Sequence, residues 1–179
     1  MLTDDLDVKI VGDKPSEDVR RNKNTPQQNS SVSSEQIKGA KAVGKMVAES
    51  FIADAQNEGD EDFRDFDMIV QRRLLLSFTA TAGFEQYIGN DTLDGIAQKS
   101  FLDTINKYSS ELYKTSSDTG AFSFYYLAFR RGSEVERRIG QTFAMLCSHD
   151  GDPIFQELGE ALYCWFSSVV RKAVAEHLT

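Results

Sequence analysis

The chain has 179 residues, a formal net charge of −8 and 40 % hydrophobic residues. That length is enough for one domain with a hydrophobic core that needs no disulfide or metal for stability. The acidic balance argues against binding to nucleic acid or to an anionic membrane, because both attract a positively charged surface. No uncharged apolar run is longer than residues 74–84, and eleven residues are too few to cross a bilayer.

The first 33 residues have the composition of a disordered tail. They are polar, mixed in charge and without a periodic apolar pattern, so they cannot bury enough surface to offset the entropy of ordering. Residues 27–152 contain no proline, which favours long helices. We therefore expect a polar tail over 1–33 and a single helical domain over 34–179.

Apolar residues recur at three- and four-residue spacing from Ser34 onward, which predicts a first helix that begins there. Its small residues Ala40, Gly44 and Ala48 follow one another at steps of four. Small side chains in such a row allow a second helix to approach closely. A second predicted helix spans residues 62–87 and is apolar on several sides, which is typical of a central helix.

A third amphipathic helix is predicted to begin with Asp91 as its cap and to continue through Leu112. The next segment, residues 121–131, reads AFSFYYLAFRR. Its aromatic residues fit a helical period better than a strand period, so we expect a short helix that is buried on most sides. An alternative is that the aromatics between Phe122 and Phe129 line a ligand cavity.

Gly132 is expected to end that short helix, and Ser133 with Glu136 matches a capping box for the next one. Asp152 and Pro153 predict the start of the last helix. We expect the last helix to bury a stripe made of Ile154, Leu158, Leu162, Trp165, Val169 and Ala173. The sequence thus predicts an all-α bundle of five or six mostly antiparallel helices.

Catalytic and metal-binding motifs are lacking. The two cysteines and two histidines are Cys147, Cys164, His149 and His177, and their spacing matches neither a zinc site nor a Cys–His dyad. We expect both cysteines to be reduced and buried in a cytoplasmic protein. The sequence therefore predicts no cofactor, no metal and no catalytic residue.

Two groups of charged residues are the candidate binding residues. The basic group lies around the predicted break at Gly132 and contains Arg130, Arg131, Arg137 and Arg138. The acidic group lies between the first two helices and contains Asp60, Glu61, Asp62 and Asp65. Arginine clusters bind phosphates and carboxylates, but they also pair with acids of their own chain.

From these features we expect a non-enzymatic cytoplasmic protein that binds another protein, as an adaptor, regulator or inhibitor. In one version the acidic group occupies a basic nucleic-acid-binding surface of the target. Two alternatives are a small-molecule-binding or catalytic bundle with an aromatic cavity, and nucleic-acid binding through the arginine cluster. The identity of the partner and the oligomeric state do not follow from the sequence.

Overall fold

Seven α-helices account for most of the part of the chain that the structure describes. The structure is a computed structural model, and it describes residues 32–57, 66–118, 120 and 122–178. The helices are α1 (Ser34–Asn57), α2 (Phe66–Ile88), α3 (Asp91–Tyr108), α4 (Ser110–Ser116), α5 (Ser123–Phe129), α6 (Val135–Leu146) and α7 (Pro153–His177). These ranges contain no strand, so the all-α prediction is confirmed there. The predicted number of five or six helices was too low, and most of the predicted tail, residues 1–31, lies outside the described residues.

Helix α1 packs closely against α3 through its row of small residues. Ala40 and Ala48 are fully buried, and a Cβ atom at Gly44 would overlap the carbonyl oxygen of Ala97 in α3. The close approach predicted for this row is therefore present. The helix begins at Ser34 as expected, but the residue that caps it is Ser33, whose side chain and backbone exchange hydrogen bonds with Gln36.

Helix α2 is the central helix, as its apolar character predicted. Residues 74–80 are all buried, and α7, α3 and α4 pack around α2. One polar side chain in this run, Thr79, satisfies its hydroxyl by donating to the carbonyl of Leu75 at 2.7 Å. Two arginines near the start of α2 link it to neighbouring helices. Arg72 forms a two-bond ion pair with Asp54 of α1, and Arg73 pairs with Glu111 of α4 at 3.3 Å.

The predicted third helix is two helices, because the chain turns at Ser109. This residue has an extended backbone, ends α3, and accepts a hydrogen bond from the amide of Leu112 to cap α4. The start of α3 also differs from the prediction by one residue. Its cap is Asn90, which accepts from the amides of Thr92 and Leu93, whereas Asp91 is the first helical residue.

Gly132 separates α5 from α6, as predicted, and adopts a φ of 91° that favours glycine. The predicted capping box of Ser133 and Glu136 is wrong. The residue before α6 is Glu134, with a left-handed φ of 56° and no side-chain hydrogen bond to the helix. The prediction for α7 is confirmed at its start, where Asp152 accepts from the amide of Ile154 and Pro153 is the first helical residue.

The buried side of α7 is not the one that the sequence predicted. The core includes Leu162 and Ala173, but Ile154 is 73 % exposed and Trp165 is 43 % exposed. The residues that α7 buries are Gly159, Leu162, Tyr163, Phe166, Val170, Ala173 and Val174. Gly159 explains the orientation, because its missing side chain makes room for Phe143 of α6, which a Cβ atom would approach to 2.5 Å.

Candidate functional site

The inner side of α5 closes the core around one phenylalanine of α2. The ring of Phe78 lies 5.4 Å from that of Tyr125 and 5.1 Å from that of Tyr126, measured between centroids. The rings of Phe122 and Phe129 lie at 6.1 and 6.0 Å from it. Such distances are those of packed aromatic pairs. These rings surround Phe78 and fill the space between α5 and α2.

The hydroxyl groups of the two tyrosines in α5 have different environments. The Tyr126 hydroxyl donates to a carboxylate oxygen of Glu85 at 3.4 Å. The Tyr125 hydroxyl is buried and has no hydrogen-bond partner among the described residues. Burial raises the pKa of Tyr125 well above its usual value, and nearby Cys147 raises it further, so this hydroxyl stays neutral.

The prediction that α5 is buried on most sides is wrong, because its outer side is exposed. Phe124 is 53 % exposed and Leu127 is 58 % exposed, while Phe122 and Tyr125 are fully buried. With seven residues, α5 makes only two turns, and its neighbours cover only one side. Two large apolar side chains therefore face solvent next to each other, because residues three apart are neighbours on a helix.

A groove of about 260 Å³ runs between α5 and α6 beside these side chains. Met145 of α6 contributes a third apolar residue and is 42 % exposed. We call the surface around this groove the α5–α6 face. It consists of Phe124, Leu127, Ala128, Arg131, Arg138, Gln141, Thr142 and Met145.

Of the four predicted arginines, Arg131 and Arg138 line the groove and the other two do not. Arg131 is exposed and forms no ion pair with any described residue. Arg138 donates from Nε to the carbonyl of Ala128 at 3.0 Å. That carbonyl is among the last of α5, where a helix leaves acceptors without partners and a cation is favourable. Arg138 thus holds α6 to the end of α5, and Arg131 supplies the positive charge that is accessible in the groove.

Arg130 and Arg137 each contact a side chain outside the groove. The guanidinium carbon of Arg130 lies 5.5 Å from the ring centroid of Tyr126, in a cation–π contact. Arg137 pairs with Glu134 at 3.6 Å, and both side chains are two-thirds exposed. Such exposed pairs contribute little to stability. The four arginines therefore do not share one site, because only Arg131 and Arg138 line the groove.

The predicted acidic group belongs to the segment between α1 and α2. Its residues Asp60, Glu61, Asp62 and Asp65 lie outside the described residues.

The structure also shows residues that the sequence prediction did not include in the site, namely Phe124, Leu127 and Met145. A signal for the first two was present, because they lie three apart on the side of the helix opposite to Phe122 and Tyr125.

The thiols do not form a reactive site. Cys147 is buried, as predicted, but Cys164 is exposed, so the expectation of two buried cysteines was wrong for Cys164. Partial burial of its sulfur raises the pKa of Cys164, and the carboxylates of Glu136 and Glu160 raise it further. The thiol is therefore protonated at neutral pH and is a poor nucleophile.

The described ranges hold neither a group of metal ligands nor a helix that could span a membrane. Within those ranges, no three or more histidine, cysteine or acidic side chains lie together as a metal site would need. None of the described helices combines the length and the apolar character needed to span a bilayer.

Comparisons with known proteins leave the family of this chain open. No protein-family model matches it, and neither a curated protein nor a solved structure is similar to it.

Proposed function

We propose that this chain is a non-enzymatic protein-binding adaptor or regulator whose contact surface is the α5–α6 face. The observation that carries the proposal is the placement of exposed Phe124 and Leu127 beside the accessible guanidinium of Arg131. Aromatic residues and arginine are enriched among the residues that dominate binding energy at protein interfaces.

The apolar part of this surface supplies part of the affinity for a partner. Full burial of a phenylalanine or leucine side chain stabilises by about 1.5–3 kcal/mol. Phe124, Leu127 and Met145 are each roughly half exposed, so a partner that covers them gains about 1 kcal/mol per side chain. The contribution is modest, and affinity therefore also depends on the charged group in the groove.

Arg131 indicates which chemistry the partner carries. An exposed guanidinium beside apolar side chains fits a segment that combines apolar residues with carboxylates, because arginine binds a carboxylate through two parallel hydrogen bonds. We infer that the partner presents an acidic segment with leucine-like or aromatic side chains. The cytoplasm remains the proposed location, supported by two cysteines that form no disulfide.

The other two functions receive less support from the same residues. Phe122 and Tyr125, which were candidates for a cavity wall, are fully buried around Phe78. For nucleic acid, Arg137 is paired with Glu134 and the chain carries a charge of −8. Counterion release requires several cations on one surface, and the groove has Arg131 and the tethered Arg138.

Selection of binding peptides from a random displayed library, with the full chain as bait, tests the proposal. We expect enriched peptides with both acidic and apolar residues, and we expect Leu127→Ser to weaken their binding. Arg131→Glu should remove the preference for acidic peptides. The matched control is Arg130→Glu, which makes the same charge change next to the groove.

Equal effects of Arg131→Glu and Arg130→Glu would show that only the overall charge matters, and the proposal would fail. Enriched peptides without acidic residues would also contradict it. Both arginines are exposed, so neither substitution should prevent folding. Circular dichroism of each variant checks this before binding is compared.

A further inference from the structure

Helix α7 has a second apolar stripe, beside the one that it buries in the core. Along the described part of the chain, Ile154 is the most exposed large hydrophobic residue at 73 %, and Trp165 follows on the same stripe at 43 %. Ala161 is exposed between them. Leu158 and Val169 are half-buried, because they form the edge of the stripe that packs against the core. The spacings of four, three, four and four residues place all five on one side of the helix.

The stripe is symmetric about its centre. The midpoint lies between Ala161 and Leu162, and two pairs of apolar residues lie equally far from it in sequence: Ile154 with Val169, and Leu158 with Trp165. In an antiparallel pair of such helices, each of these four residues therefore lies opposite an apolar residue of the second copy. Ala161 lies at the crossing point, where a small side chain permits close packing.

The charges at the two ends of α7 favour the same antiparallel arrangement. Exposed Asp150 and half-buried Asp152 precede the helix, and near its other end exposed Arg171 and Lys172 outnumber Glu176, which pairs with Lys172 at 3.8 Å. An antiparallel pair brings the acidic end of one copy to the basic end of the other. A parallel pair brings like charges together, which disfavours it.

We propose that α7 pairs antiparallel with α7 of a second copy of this chain, through Ile154, Leu158, Ala161, Trp165 and Val169. This surface is separate from the α5–α6 face, so the dimer does not depend on the proposed function. A single helix pair buries an area at the low end of specific interfaces. The dimer is therefore weak and depends on protein concentration.

Cysteine cross-linking tests the register of the pair. In a Cys164→Ser background, Ala161→Cys places two thiols beside the two-fold axis, with an axial offset of about 1.5 Å. Ser168→Cys, on the same exposed side, is the matched control, because the antiparallel register separates its two copies by about 20 Å along the axis. A disulfide spans Cα atoms about 4.4–6.8 Å apart.

With a mild oxidant that accepts the two electrons of the thiol pair, we expect Ala161→Cys to form a covalent dimer and Ser168→Cys to stay monomeric. Cross-linking of both variants would indicate a parallel pair and overturn the proposed register. Cross-linking of neither, or of Ser168→Cys alone, would overturn the proposal as well.

A second measurement uses the unmodified chain. Trp165 is the single tryptophan, so its emission should shift to shorter wavelength as the protein is concentrated and the stripe is covered. Ile154→Lys should abolish this shift and the dimer seen by sedimentation, with unchanged circular dichroism because Ile154 is largely exposed. Sedimentation as a monomer at every concentration would overturn the proposal.

Discussion

Gly44→Ala is the substitution that probes the packing of α1 against α3 most sharply. A Cβ atom at this position would overlap the carbonyl oxygen of Ala97 and lie 2.8 Å from the Cβ atom of Ser100. The carbonyl belongs to the α3 backbone, so no rotamer change can relieve the overlap. The two helices must move apart, which loosens the contacts of the fully buried Ala40 and Ala48.

Two opposing effects set the magnitude. Alanine is favoured over glycine inside a helix by about 1 kcal/mol. Overpacking a closely packed site destabilises by about 1–3 kcal/mol, and a clash with backbone lies at the upper end. We expect Gly44→Ala to lower the free energy of unfolding by about 2 kcal/mol, which corresponds to a Tm decrease of roughly 4–8 °C for a chain of this size.

Gly95→Ala is the matched control, because Gly95 also lies within a helix but a Cβ atom there meets nothing within 4 Å. Only the helix-propensity effect remains, and we expect a gain of about 0.5–1 kcal/mol. Thermal and urea denaturation followed by circular dichroism measure both variants. If Gly44→Ala were as stable as Gly95→Ala, the close contact between α1 and α3 would be refuted.

Three further predictions concern the core, an ion pair and a thiol. Phe78→Ala should lower the free energy of unfolding by about 3–5 kcal/mol. Phe124→Ala, at a half-exposed position, should change it by less than about 1.5 kcal/mol. Similar decreases in the free energy of unfolding of both variants, measured by urea denaturation, would contradict this. Asp54→Asn should destabilise by about 1–3 kcal/mol, because it weakens the charged hydrogen bonds from Arg72, and a Tm equal to that of the wild type would argue against the pair. The rate of Cys164 alkylation, measured by peptide mass spectrometry, should rise with pH and reach its midpoint above that of an unperturbed cysteine, because the raised pKa keeps the thiolate scarce at neutral pH. A midpoint at or below that of glutathione would contradict the raised pKa.

Helical periodicity predicted the fold class and the central helix, since a helix that is apolar on several sides, as over residues 74–80, is typically buried among other helices. It missed the turn at Ser109 because the apolar stripe continues from α3 into α4 without interruption. A single serine that caps the next helix ends α3 there. Local hydrogen bonds of this kind leave little trace in the apolar pattern.

The errors at α5 and α7 have a common physical reason. Each helix has two apolar sides, and periodicity cannot tell which side its neighbours cover. On α7 the choice follows from Gly159, which admits Phe143 and turns Trp165 outward. On α5 the packing of Tyr125 around Phe78 leaves Leu127 in solvent. The sequence therefore indicated the arginines of the candidate site and the shared helix side of Phe124 and Leu127, but the exposure of that side follows only from the packed structure.

Site-specific photo-cross-linking tests the central claim that the α5–α6 face binds a protein. A photoreactive amino acid at Leu127 is compared with the same residue at Asn106, an exposed position of α3, in extract of the source cells. We expect a discrete cross-linked protein at Leu127 that is absent at Asn106 and lost with Arg131→Glu. The linked peptide should contain acidic and apolar residues. Identical products at both positions, or none at Leu127, would contradict it.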